Sequence, residues 1–215
     1  MGSFLLTIAA VAGAAGMSLE MAASRMMLPY YGDSHVIWAN LIGVILAALT
    51  VGYYLGGGLA DRWPNRRLLL LLLGGAGLWT YLVPTVGSPL LSAVRAVFPK
   101  SQLGFVGGSL LGVLVLFAAP NLLLGCVPPL IIRLALADVR TAGNVTGRVY
   151  AVSTVGSMLG TFAPVLWLMP SFGVRATFTV TAVVLLVTAL AAVSLPLRRS
   201  IAATGVSRAK TDSHD

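Results

Sequence analysis

From its fourth residue onward the chain alternates long apolar runs with short polar or proline-marked breaks. A helix needs about 20 apolar residues to cross the hydrocarbon core of a bilayer. Six runs reach that length: residues 4–28, ended by Pro29, then 36–60, 68–86, 103–136, 149–169 and 176–195. The pattern predicts an all-α integral membrane protein with six transmembrane helices in one domain over 1–197. A basic cytoplasmic tail over 198–215, polar enough to be disordered, follows it. The fourth run exceeds one span and carries Pro120 and the Pro128-Pro129 pair, so a kinked helix is expected there. Residues 89–98 are too short to span and read as an amphipathic surface helix or a plain loop.

A repeat emerges from the same pattern. The stretch "TVGYYLGG" from Thr50 matches "TVGSMLGT" from Thr154 at five of eight positions. One copy lies in the second run and the other in the fifth, which cross the membrane in opposite directions. This is the arrangement of a 3+3 inverted repeat. Gly52 and Gly56 are four apart, as are Gly156 and Gly160, so each pair forms a small face that another helix backbone can approach closely.

Composition removes the soluble alternatives. Only 9% of residues are charged and 58% are hydrophobic, against roughly 25% charged in a soluble domain. The net charge of +8 would suggest nucleic acid for a soluble protein. Here it marks cytoplasmic loops and anionic head groups instead. With the N-terminus inside, Arg62, Arg66, Arg67, Arg133, Arg140, Arg148, Arg198, Arg199, Arg208 and Lys210 fall on the cytoplasmic side. Arg25, Arg95, Lys100 and Arg175 fall outside. That asymmetry predicts cytoplasmic N- and C-termini. The first run lacks a basic n-region and continues past any cleavage site, so it reads as a retained span rather than a signal peptide. The single cysteine, Cys126, permits no intrachain disulfide. No catalytic triad, phosphate loop or metal cluster is legible, so neither an enzyme nor a cofactor is expected from this chain alone.

Two places carry unexplained charge. Glu20 lies inside the first run, where a carboxylate is expensive and marks a candidate cation or proton site. Arg25 is five residues on, about 140° around the helix, so each should meet another helix. For Glu20 and Arg25 the candidate partners are Asn40, Asn121 and, through side-chain reach, each other, and a structural buried ion pair or hydrogen-bond network is the alternative role. The second place is "GGGLADRWPNRR", where Asp61 stands among Arg62, Arg66 and Arg67. The arginines serve topology, whereas Asp61 is not needed for it.

Gly57, Leu59, Ala60, Asp61, Arg62, Arg66 and Arg67 resemble the signature loop between helices two and three of the major facilitator superfamily. Pro64 and Asn65 depart from its usual pattern. The resemblance implies a cytoplasmic charge network that latches one conformation, with Arg133 as the expected partner of Asp61 and Arg148 nearby. It also implies half of a facilitator-like bundle, because that family has two six-helix halves. A broader resemblance rests on Glu20, Arg25, Pro29, Gly32, Ser34 and Trp38, the Asp61 loop, then Gly147, Arg148, Tyr150, Gly156, Gly160, Gly173 and Arg175. These resemble the membrane region of bacterial fused facilitator/spermidine-synthase proteins. No aminopropyltransferase domain is legible here. The resemblance implies a membrane subunit that anchors or serves a separate aminopropyltransferase-like partner and moves polyamine-like cations. A small homodimeric transporter and a structural membrane protein are the alternatives. In each case the bilayer is a partner, and a half-bundle implies a homo-oligomer or a partner subunit.

Overall fold

The computed structural model describes residues 3–98, 101–136 and 138–194. The tail expected over 198–215, with Arg198, Arg199, Arg208 and Lys210, lies outside the described residues, as does Lys100. Among the described residues the chain is helical throughout and holds no strand. Helix α1 spans Ser3–Tyr31, α2 His35–Arg62 and α3 Arg66–Val97. The fourth run divides into α4, Gln102–Val113, a π-turn over Leu114–Ala118, α5, Ala119–Gly125, and α6, Val127–Ala135. Helix α7, Ala142–Ala163, leads through a second π-turn, Pro164–Leu168, into α8, Met169–Ser194.

Five helical segments are long and apolar enough to cross a membrane. The last of them, Val139–Ser194, runs 56 residues and is interrupted at Gly173, whose φ of 82° and ψ of 173° are not helical. A side chain would be strained at that φ, so glycine marks the break. Gly32, with φ 70°, ends α1 in the same way. Side-chain caps start the next elements. Ser34 Oγ accepts from Ile37 N, Asn65 Oδ1 from Leu68 N, and Ser101 Oγ from Gly104 N.

One expectation is corrected. Residues 89–98 form no separate surface helix, because α3 continues unbroken through Pro84 and Pro89 to Val97. Its far end is held by burial of Leu91 and Val94; Pro84 and Thr80, whose carbonyl it frees, are buried, whereas Pro89 and Thr85 are exposed.

Two other prolines leave carbonyls that distant side chains satisfy. Proline lacks the N–H that a helix directs at the carbonyl four residues back. For Pro120 that carbonyl belongs to Leu116, and Trp79 Nε1 donates to it at 3.0 Å. For Pro164 it belongs to Gly160, and Ser18 Oγ donates to it at 3.1 Å. Trp79→Phe and Ser18→Ala are each expected to cost about 1 kcal/mol, the usual worth of such a bond between membrane helices. Thermal unfolding in detergent reads the change.

Helix α1 packs most extensively on α7, α3 on α8, and α2 on α5 and α6. Two apolar clusters fill the interior. One takes Leu5–Ala15 of α1 together with Leu73, Leu130, Ile131 and Leu185. The other takes Leu19–Tyr31 of α1 with Leu41, Val83, Phe117 and Phe178. The buried polar residues are Ser18 in α1, Thr80 in α3, Ser109 in α4, Asn121 in α5, and Thr177 and Thr181 in α8.

Candidate functional site: a polar cleft at mid-bundle

The glycine pairs set how closely the helices approach. A Cβ built on Gly156 would collide with the Ala10 carbonyl, and one on Gly160 with the Ala14 carbonyl. Gly52 meets the Leu122 carbonyl and Gly56 the Cys126 backbone in the same manner. From the opposite side, Gly13 lies against the Ser153 carbonyl and Gly125 against that of Leu49. Each contact between α1 and α7 therefore has a counterpart between α2 and the α5–α6 segment, at one constant spacing in sequence.

Between these two close pairs lies a cleft of about 100 Å³. Glu20 enters it from α1, Tyr53 from α2, Asn121 from α5, and Ser153 and Ser157 from α7. A Cβ on Gly16 would meet nothing within 4 Å, so this glycine widens the opening. Glu20 is three residues past the centre of α1, about 5 Å from its midpoint at 1.5 Å per residue. Its carboxylate is half-buried. Among the described residues no cation lies within ion-pair distance of it.

Asn121 is fully buried. Its Nδ2 donates to the Phe117 carbonyl at 2.8 Å, while its Oδ1 is buried with no partner. An unpaired amide oxygen in an apolar interior costs roughly 1–3 kcal/mol. The cleft is thus lined by Glu20, three hydroxyl-bearing residues and Asn121, whose buried amide oxygen is orphaned, with no basic side chain among them. That donor set suits a cation or a proton.

The four intramembrane candidates separate into three places. Glu20 and Asn121 share the cleft. Arg25 does not join them, because its side chain lies toward the Gly32 end, where it borders a different cleft of about 220 Å³ with Asp33 and Trp38. The 140° offset around α1 carries it off the Glu20 face. Asn40 is also absent from the cleft. Its Nδ2 donates to the Val106 carbonyl at 3.1 Å and to Ser109 Oγ at 2.8 Å, which ties α2 to α4. Tyr53, Ser153 and Ser157 were not singled out from sequence. The repeat holds a signal for two of them, since Tyr53 and Ser157 occupy the same position in its two copies.

At the opposite end, Trp63 N donates to the Leu59 carbonyl, and α3 begins at Arg66 after the Pro64-Asn65 turn. Arg133 Nε lies 3.4 Å from Asp61 Oδ1, so α2 and α6 are tied at their ends. Both side chains are largely exposed, and such a pair is worth at most about 1 kcal/mol. Arg62, Arg67 and Arg148 are exposed, and Arg66 is half-buried. The described arginines of this end, Arg140 included, cluster around α2, α3, α6 and α7.

The chain matches no family model, no curated protein and no solved structure.

Proposed function

We propose that this protein is a membrane transporter subunit that takes a small cation, or one ammonium group of a larger one, at Glu20. One observation carries the reading: a mid-bundle carboxylate and an orphaned amide oxygen share a cleft with no basic side chain. A carboxylate at that depth is costly and is retained where it meets an ion path. The cleft volume equals about three water molecules at ~30 Å³ each. It accommodates an ammonium head group but not a whole polyamine, whose remaining chain would extend through the cleft mouth.

The proposed architecture is six spans, with the break at Gly173 dividing the 56-residue segment into two. The paired glycine contacts support a 3+3 inverted repeat, since α1 on α7 has its counterpart in α2 on α5 and α6. In this reading the protein is half of a facilitator-like bundle, and a second copy covers the face on which the cleft opens. In this reading the Asp61 end is cytoplasmic, which the arginines near it support, and the Asp61–Arg133 pair is a latch there. Service to an aminopropyltransferase-like partner rests on the sequence resemblance alone, and the geometry favours the transporter.

Uptake by proteoliposomes tests the proposal, with radiolabelled 1,4-diaminobutane and sodium as separate probes. Wild-type flux of one probe should fall at least about tenfold in Glu20→Gln, the effect of losing one charge-assisted contact. Tyr54→Phe, next to Tyr53 but largely exposed, should match wild type. Equal flux in Glu20→Gln and wild type would remove Glu20 from the mechanism.

A further inference from the structure

A second polar cavity lies at the Gly32 end and is independent of the Glu20 cleft. Its volume is about 210 Å³. Arg25 and Tyr30 of α1, Ser88 of α3 and Arg175 of α8 line it, against apolar walls that include Pro84 and Phe178. Arginines of two different helices thus border one space together with two hydroxyl-bearing residues, and no carboxylate lines it. Among the described residues neither Arg25 nor Arg175 has a carboxylate within ion-pair distance. The nearby acid, Asp33, borders the adjoining cleft and accepts from Trp38 Nε1 at 3.3 Å.

The break at Gly173 brings this arrangement about. It kinks the backbone two residues before Arg175, and α8 packs on α1 as well as on α3. Helix α1 has 29 residues, about 44 Å at 1.5 Å per residue. It exceeds the ~30 Å hydrocarbon core. Arg25 lies six residues before the end of α1, about 9 Å from it. With α1 centred in the bilayer, the Arg25 Cα is eight residues, about 12 Å, from the helix midpoint, near the edge of the ~15 Å half-thickness, and the long arginine side chain reaches from there to the lipid phosphates.

We propose that Arg25 and Arg175, with Tyr30 and Ser88, form a site for a phosphate group. Guanidinium forks match phosphate oxygens two at a time, and hydroxyls complete the remaining acceptors. At this depth the phosphate source is the head group of an anionic phospholipid, with the apolar walls against its glycerol. A choline head group is disfavoured by the two positive charges. A soluble phosphate offers the same chemistry, and the experiment separates the two.

The full chain, purified in detergent, is titrated with phosphatidylglycerol, phosphatidylcholine or inorganic phosphate and followed by thermal unfolding. Wild type and Arg95→Gln are expected to be stabilised alike by phosphatidylglycerol and little by phosphatidylcholine. Arg95 lies near the same end but sits over the Phe105 ring, outside the cavity. Arg25→Gln and Arg175→Gln should each weaken the apparent affinity about fivefold, the usual effect of one arginine near anionic lipid. Should either glutamine variant fail to fold, Arg25→Lys and Arg175→Lys keep the charge but lose the fork, and a weakened response in them supports the same site. Stabilisation by inorganic phosphate that both arginine variants abolish, without a phosphatidylglycerol response, assigns the site to soluble phosphate. If the cavity variants respond to every ligand as Arg95→Gln does, the proposal is overturned.

Discussion

Gly56→Ala and Gly57→Ala are expected to change stability in opposite directions, although the two residues are adjacent. A Cβ on Gly56 meets the Cys126 backbone, which has no side-chain rotamer with which to retreat. The helices must separate, at a cost of about 3 kcal/mol, the upper part of the overpacking range. Gly57 has nothing within 4 Å of the added carbon, so alanine there should gain roughly 0.5–1 kcal/mol from helix propensity. Gly160→Ala should resemble Gly56→Ala and cost more. Its Cβ would strike the Ala14 carbonyl, and moving α7 would also strain the Ser18 bond to the Gly160 carbonyl. Unfolding midpoints of the purified variants decide the matter. Losses of equal size at Gly56 and Gly57 would mean that the close approach of α2 to the α5–α6 segment is not what these glycines serve.

The long helices were legible because crossing a membrane requires long apolar runs, and little else in the sequence competes with that signal. Their interruptions were not. Pro84 and Pro89 look like a boundary, yet the helix passes through both, with Pro84 buried among its neighbours and Pro89 exposed. Pro120 and Pro164 also look like breaks, and the two π-turns beside them keep the chain helical. Whether a proline ends a membrane helix depends on who satisfies the freed carbonyl. For Leu116 and Gly160 the donors are 37 and 142 residues away in sequence. The Gly173 break, by contrast, needs a residue that tolerates positive φ, and a glycine stood there to be read.

The cleft was legible only in part. A glutamate within an apolar run announces itself by cost, and Asn121 does so more weakly. Helical phase could say that Arg25 leaves the Glu20 face but not where it goes. Asn40 looked equivalent to Asn121, and what separates them is whether a partner exists. Asn40 finds Ser109 and the Val106 carbonyl, whereas Asn121 Oδ1 finds none. Ser153 and Ser157 resemble the ordinary small residues of a membrane helix. Their contribution comes from lying beside Gly13, where the close approach of α1 brings α7 hydroxyls to the cleft.

Glu20→Gln is expected to raise the stability of the ligand-free protein while removing its response to cations. Glutamine keeps the shape of the side chain and discards the charge. Insertion scales put an ionised group at the centre of a helix at about 2.5–3.5 kcal/mol. Glu20 is half-buried and faces an opening, so a gain of about 1–3 kcal/mol is the reasonable share of that range. A carboxylate retained at such a cost by a structural role would need donors to offset it, and its loss would then destabilise the fold. Here no cation or hydrogen-bond donor holds it among the described residues, and the Asn121 amide oxygen beside the cleft is itself an unpaired acceptor. Unfolding of wild type and Glu20→Gln, with and without 1,4-diaminobutane or sodium, separates these cases. Higher stability without ligand and no shift with it support the cation site. Lower stability without ligand would make Glu20 a structural anchor, and the orphaned Asn121 oxygen would then have to be satisfied by water.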